Sequence, residues 1–97
     1  MAFKIKWLST AVDDLEEICS YIAKDSEKYA IIIARSIYEI VEDIAKFPER
    51  GRVVPEYNRK EIREIIYKSY RIIYRIRDNY IQVLAVYHGA RILKFDF

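Results

Sequence analysis

The chain has 97 residues, of which 53% are hydrophobic and 33% are charged. This length and balance predict one small domain over residues 1–97 and exclude a two-domain enzyme. The formal net charge of +2 is too small for bulk charge to indicate nucleic-acid binding. One cysteine and one histidine exclude an internal disulfide and leave little for a metal centre. With no membrane-length apolar run and no signal peptide, we expect a soluble cytoplasmic protein without a cofactor.

The first half of the chain predicts one strand and two helices. Apolar residues alternate with lysines over residues 3–7, which is the pattern of a half-buried strand. Residues 10–24 follow as an amphipathic helix, with Thr10 and Asp13 resembling a capping box. A second apolar stripe over residues 30–47 ends where a proline follows. The short link between the stripes predicts an antiparallel helical hairpin.

From Glu61 onward the hydrophobic period changes to two, which predicts antiparallel strands. A two-residue turn at Asp78-Asn79 would join the last two strands. The resulting pairs are Ile76 with Ile81, Tyr74 with Val83, and Ile72 with Ala85. In this register Arg71 and Arg75 lie on the face opposite these apolar pairs, and parity places His88 with them.

A second hairpin, turning at Lys68-Ser69, adds a third strand. It places Glu64 on the same face as Arg71, although a slip of one residue would reverse the faces. The apolar face of the sheet needs a cover, and the helical hairpin is the candidate. We therefore expect an α+β fold with an N-terminal strand and an antiparallel two-helix hairpin packed on one face of a mainly antiparallel β-sheet.

This order of elements resembles the RelE/ParE superfamily of type II toxins. The matching pieces of sequence are residues 14–18, 21–23, 48–56, 62–64, 70–74 and 88–91. The loop and the His-Gly-Ala-Arg ending look more like the ParE branch. The resemblance implies a toxin that is held inactive by a cognate antitoxin in a hetero-oligomer.

The two branches of the superfamily imply different targets. RelE-like members cleave messenger RNA on the ribosome, whereas ParE-like members poison DNA gyrase. In the RelE-like pattern, arginines matching Arg71 and Arg91 hold the scissile phosphate. The two lysines of that pattern fall at Ile62 and Glu64, and its terminal tyrosine falls at Phe97, so three of its groups are missing. The residues therefore favour a gyrase poison.

Three alternatives stay open from the sequence. A ribonuclease would use Arg71 and Arg91 as cations, with His88 and Glu64 for proton transfer. The same residues also have a structural interpretation, with the arginines on a solvated sheet face and His88 at a strand end. A degenerate toxin that only binds its antitoxin is the third alternative.

The second predicted helix is apolar over a broad arc, because Ile31, Ile32 and Tyr38 lie outside its main stripe. Such a helix either lies deep in a core or offers a surface for a partner. The resemblance favours the partner, since antitoxins of this superfamily wrap the toxin with a helix and an extended segment. We therefore predict that Ile31, Ile32, Tyr38 and Arg75 contact the antitoxin.

Overall fold

A computed structural model describes residues 2–89. Its elements are β1 Lys4–Trp7, α1 Ser9–Ala23, α2 Glu27–Lys46, a short 3-10 helix Pro48–Arg50, β2 Arg52–Val53, β3 Ile62–Tyr67, β4 Tyr70–Ile76 and β5 Tyr80–His88. The five strands form one sheet in the order β1-β5-β4-β3-β2. β1 is parallel to β5, and the other neighbouring strands are antiparallel. This architecture confirms the predicted fold class.

The helical hairpin begins differently from the prediction. α1 begins at Ser9 after the extended N-cap residue Leu8, so the predicted capping box at Thr10 is wrong. The Thr10 hydroxyl instead donates to the carbonyl of Leu84 at 3.3 Å. Leu84 follows Val83, which is the last residue of β5 that pairs with β1. α2 does begin with a side-chain cap, since the Ser26 hydroxyl accepts from the amide of Tyr29 at 3.1 Å.

Both helices cover one face of the sheet, which we call the helix face. Ile33 and Ile37 of α2 are fully buried there against Ile72 of β4 and Val83 of β5. The other buried members of this cluster are Ala11, Leu15, Val41 and Val86. The apolar residues that recur at helical spacing thus pack against the apolar residues that alternate along the strands, as the sequence predicts.

The opposite face of the sheet, here called the outer face, carries a second small core. Its buried members are Val54, Ile62, Ile73, Leu84, Ala85 and Tyr87. Val54 and Tyr57 come from the segment between β2 and β3, which packs over this face. The helical hairpin is therefore not the sole cover of the sheet, and β5 is buried on both faces.

A β-bulge changes the register of the β4–β5 hairpin. Tyr74 pairs with Val83 as predicted, but Ile73 pairs with Ala85, so Leu84 is an extra residue on β5. The predicted pairing of Ile72 with Ala85 is consequently wrong. Beyond the bulge every side chain of β5 lies on the face opposite to its predicted one. The β3–β4 hairpin has the predicted register, which includes the pairing of Ile66 with Arg71 and of Ile62 with Arg75.

The Tyr74 side chain fixes the segment that leads from α2 into β2. Its buried hydroxyl donates to the Pro48 carbonyl at 2.6 Å and accepts from the Gly51 amide at 3.0 Å. A Cβ atom at Gly51 would lie 2.6 Å from that hydroxyl and 2.7 Å from the Glu64 carbonyl oxygen. Only glycine can bring the backbone this close to Tyr74 and Glu64. This close approach places the following strand β2 beside β3.

The helices of residues 2–89 include none with the length and hydropathy that a membrane span requires.

Candidate functional site

Arg71 lies on the outer face of β4, at the end of the sheet near the β3–β4 turn. Its strand neighbours are Ile66 on β3 and Tyr87 on β5. Glu64 lies on the same face of β3, and β2 pairs Arg52 with it. The predicted proximity of Arg71 and Glu64 is therefore observed.

Two arginines and two glutamates form a continuous ion network at this place. We call Arg52, Glu56, Glu64 and Arg71 the charge cluster. Arg71 Nε donates to Glu64 Oε1 at 2.7 Å, and Arg52 Nε donates to Glu64 Oε2 at 2.6 Å. Arg71 also holds Glu56 through both terminal nitrogens, at 2.9 and 3.0 Å. The cluster joins three strands to the segment between β2 and β3.

Burial makes these contacts more than a surface pair. The Glu64 side chain is 0% exposed and the Arg71 side chain is 13% exposed. A buried carboxylate requires cationic partners, and both oxygens of Glu64 have one. Hydrogen bonding to Glu56 and Glu64 raises the pKa of the Arg71 guanidinium above its usual range, and the Arg71 hydrogen bond lowers the pKa of Glu56.

This geometry limits what Arg71 can do chemically. A guanidinium has five N–H donors in a fixed fork, and Arg71 directs donors from all three nitrogens at carboxylates. A phosphate would have to displace Glu56 and would still approach the Glu64 carboxylate. Both oxygens of Glu64 accept a hydrogen bond from an arginine, so in this arrangement neither oxygen is available to accept a proton as a general base. In this geometry the charge cluster connects β2, β3 and β4 with the segment that carries Glu56.

His88 is not part of this arrangement. It pairs with Tyr70 on the helix face, with the two rings 5.3 Å apart between centroids, so the prediction that it shares a face with Arg71 is wrong. The bulge at Leu84 is the reason, because one extra residue reverses parity. His88 lines a groove of about 640 Å³ between α1 and the ends of β4 and β5, together with Ile18 and Tyr21.

Two residues of the ribonuclease pattern fall beyond the structure. Arg91 and Phe97 lie outside the described residues 2–89. Sequence reasoning missed Glu56 and Arg52 altogether, because neither belongs to a periodic segment from which a register can be inferred. Their positions follow from the Tyr74 contacts and from the pairing of β2 with β3.

The residues predicted to contact a partner lie on more than one surface. Ile31 and Tyr38 are 59% and 49% exposed, and their spacing of seven places them on one flank of α2, where Tyr38 contacts Trp7 of β1 at 5.2 Å between ring centroids. Ile32 is also exposed but lies on the other flank of the helix. Arg75 is on the outer face, beside Ile62.

Comparison with known proteins places this architecture in a family. A family model described as the ParE toxin of the type II toxin–antitoxin system parDE matches residues 5–93. The chain belongs to the ParE toxin family. The superfamily resemblance recognised from the sequence is thereby confirmed.

Relatives of this ParE-family chain carry both RelE and ParE names. Toxin RelE2 of Caulobacter vibrioides is 27% identical over 89 residues, which cover 92% of this chain and 98% of that protein. A structure of the chromosomal ParDE system from P. aeruginosa aligns with a TM-score of 0.74 at 20% identity, covering 91% of this chain and 97% of the other. The RelBE2 toxin–antitoxin complex of Mycobacterium tuberculosis aligns with a TM-score of 0.64 at 22% identity, covering 94% and 95%. These two structural matches show the shared fold.

Proposed function

We propose that this ParE-family chain is a toxin that inhibits DNA gyrase without cleaving nucleic acid, and that a cognate antitoxin neutralises it. The observation that supports this target is that the Arg71 side chain is already bound to two glutamates. Its guanidinium is held by Glu56 and by the buried Glu64, so the cation that a ribonuclease would place on the scissile phosphate is already neutralised.

The position of His88 supports the same proposal. A metal-independent RNA cleavage needs one group to remove a proton from the 2′-hydroxyl and another to protonate the leaving oxygen. His88 lies on the opposite face of the sheet from Arg71, and both oxygens of Glu64 accept from arginines. Neither of the two proton-transfer groups of the ribonuclease alternative is therefore in a reactive arrangement with Arg71.

One observation favours a second candidate, the RelE-like ribosome-dependent messenger-RNA endoribonuclease. The relative from Caulobacter vibrioides carries the name of a RelE toxin and covers almost the whole chain. In that alternative Arg71, Arg91 and His88 act on the ribosome-bound transcript, and Glu56 has to leave Arg71 when RNA binds.

Two assays on the purified chain separate these targets. The gyrase proposal predicts inhibition of DNA supercoiling with transcripts left intact in a ribosome-programmed cleavage assay. The His88→Ala variant should inhibit supercoiling as the parent does, because His88 has no role in the proposal. Transcript cleavage that is lost in the His88→Ala variant, with supercoiling unaffected, would contradict the gyrase target and establish the second candidate.

The proposed antitoxin surface is centred on Ile31 and Tyr38. Both side chains are apolar and exposed, and Trp7 contacts Tyr38, so this flank offers apolar area of the kind that protein partners cover. Both structural relatives come from toxin–antitoxin systems, which supports such a partner. Because Arg75 is on the outer face, an antitoxin that contacts Arg75 as well has to pass around the edge of the sheet.

A further inference from the structure

The Arg71 guanidinium holds a different carboxylate on each of two edges. On the edge that we call the inner edge, Nε and Nη2 contact Glu64 Oε1 at 2.7 and 2.6 Å. On the outer edge, Nη1 and Nη2 donate to the two oxygens of Glu56 at 2.9 and 3.0 Å. One nitrogen on each oxygen is the paired geometry that a guanidinium makes with a planar carboxylate. The outer edge of Arg71 is thus already shaped as a carboxylate site.

Burial distinguishes the two edges. The Glu64 side chain is 0% exposed, whereas the Glu56 side chain is 46% exposed. A buried carboxylate has to keep its cations, because nothing else compensates for its lost hydration. An exposed carboxylate is solvated by water when it leaves its partner, so an exposed ion pair is weakly held. The inner pair is therefore permanent, and the outer pair can be exchanged.

The segment that carries Glu56 permits this exchange. Val54, two residues before Glu56, is fully buried in the second core, and its amide donates to the Ile62 carbonyl at 3.1 Å. Glu56 itself lies in the exposed part of the segment. The Glu56 side chain can therefore rotate away from Arg71 while Val54 keeps the segment in place.

A groove of about 360 Å³ lies beside the outer edge of Arg71. Two exposed cations, Arg52 and Lys68, line it. Arg52 is bound to Glu64, whereas Lys68 lies 5.6 Å from the centre of the Tyr67 ring and holds no carboxylate within residues 2–89. The groove therefore adds a second cation, Lys68, for an anion that reaches Arg71.

The groove favours a carboxylate from a protein over a phosphate from a nucleic acid. A tetrahedral phosphate at the outer edge would direct further oxygens towards Glu64 Oε1, which already lies 2.6 Å from Nη2. A planar carboxylate has no such additional oxygens. The groove is also lined by the exposed side chain of Ile66, which pairs with Arg71 across the strands and suits an apolar neighbour of the carboxylate.

We propose that the outer edge of Arg71 is a docking point for a carboxylate of an acidic protein segment, and that Glu56 occupies it as an internal competitor until that partner binds. The exchange replaces one carboxylate with another and leaves the cations of the buried Glu64 in place. Lys68 and Ile66 supply the additional contacts that a partner needs to displace an intramolecular group. This groove lies on the outer face, so the proposal rests neither on the antitoxin surface of α2 nor on gyrase as the target.

The test measures fluorescence anisotropy of two labelled short peptides titrated with the full chain. The acidic probe has Leu-Glu-Glu-Leu at its centre, and the neutral probe has Gln in place of both glutamates. The test variant is Glu56→Ala. The matched control is Glu39→Ala, which removes the same side chain from an exposed position on α2. Because both variants lose one negative charge, a difference between them is not an effect of net charge.

We expect Glu56→Ala to bind the acidic probe at least about tenfold more tightly than the parent, because the apparent affinity of a site falls by the fraction of molecules in which it is open. Glu39→Ala should bind it as the parent does, and the neutral probe should bind to neither. Adding Arg71→Lys to Glu56→Ala keeps the charge, removes the paired geometry and should abolish the gain. If that double variant does not fold, Lys68→Gln in the Glu56→Ala background replaces it and should weaken binding by about twofold to fivefold.

Three results would overturn the proposal. Equal affinity of Glu56→Ala and the parent for the acidic probe would show that Glu56 closes no binding site. Equal gains in Glu56→Ala and Glu39→Ala would show that only bulk charge acts. More effective displacement of the acidic probe by oligo-rU than by the unlabelled probe would assign the groove to a nucleic acid. None of these measurements depends on supercoiling, so a failure here is distinguishable from a failure of the gyrase proposal.

Discussion

Single side chains hold the irregular part of this fold in place. The Tyr74 hydroxyl connects the end of α2 to the start of β2 through the Pro48 carbonyl and the Gly51 amide. Arg71 then fixes the following segment by holding Glu56. Since this segment has no regular secondary structure of its own beyond β2, a few directional contacts decide its conformation, and each can be tested alone.

Replacing Tyr74 with Phe should lower the free energy of unfolding by about 1 to 3 kcal/mol, because the change leaves the part-buried Pro48 carbonyl and the buried Gly51 amide without their partner. Denaturant midpoints of the variant and the parent give the difference. Tyr21→Phe is the matched control, since Tyr21 is 72% exposed and its change should have almost no effect. Equal midpoints for Tyr74→Phe and the parent would mean that the hydroxyl contacts do not stabilise the fold.

Glu56 should make stability depend on pH in the acidic range. Hydrogen bonding to Arg71 lowers the pKa of Glu56 from its ordinary value of 4.5. A group with a lowered folded-state pKa stabilises the fold above its ordinary value and loses that contribution as pH falls through the folded-state pKa. The parent should therefore exceed Glu56→Gln in stability at neutral pH, and the gap should narrow below about pH 4.5. A gap in denaturant midpoints that stays constant down to pH 3 would contradict this ionic contribution.

At the scale of elements, hydrophobic periodicity predicted the two helices and the strands of the C-terminal half, because burial imposes the periods of 3.6 and two. The helix-face pairs Ile76–Ile81 and Tyr74–Val83 were predicted for the same reason. The bulge at Leu84 was not, since Leu84 and Ala85 are both apolar and both buried, and a run of apolar residues does not reveal which face each one takes. The error in the position of His88 follows directly from that ambiguity.

Within α2, replacing an isoleucine with alanine should destabilise the fold strongly on the buried side of the helix and hardly at all on the exposed side. Ile33→Ala should lower the free energy of unfolding by about 2 to 5 kcal/mol, because Ile33 is fully buried between the helices and the sheet. Ile31→Ala, two residues away and exposed, should change it by less than about 0.5 kcal/mol. Chemical denaturation of both variants measures the contrast, and similar values would contradict the assignment of the helix face.

Across the whole molecule, the sheet separates surfaces with different properties. The flank of α2 with Ile31 and Tyr38 exposes apolar side chains, whereas the outer face carries the charge cluster, in which two arginines balance two glutamates. The sequence predicted that arginines share the outer face, since parity alone determines it. Which arginines are neutralised depends on Glu56, whose position no periodic pattern gives.

The apolar flank of α2 leads to the prediction that antitoxin binding stabilises this chain through Ile31 and Tyr38. A ligand that binds only the folded state at about 100 times its Kd adds about 2.7 kcal/mol, which for a domain of this size corresponds to a rise in Tm of ~10 °C or more. Thermal unfolding with and without the cognate antitoxin, which we expect to be a short protein encoded beside this gene, measures the shift. Ile31→Asp should abolish most of the shift while leaving the Tm of the free chain unchanged, because Ile31 is exposed. Ile66→Asp places the same charge at an exposed isoleucine on the outer face and should keep the shift. A shift that survives Ile31→Asp and is lost in Ile66→Asp would move the antitoxin surface from α2 to the sheet.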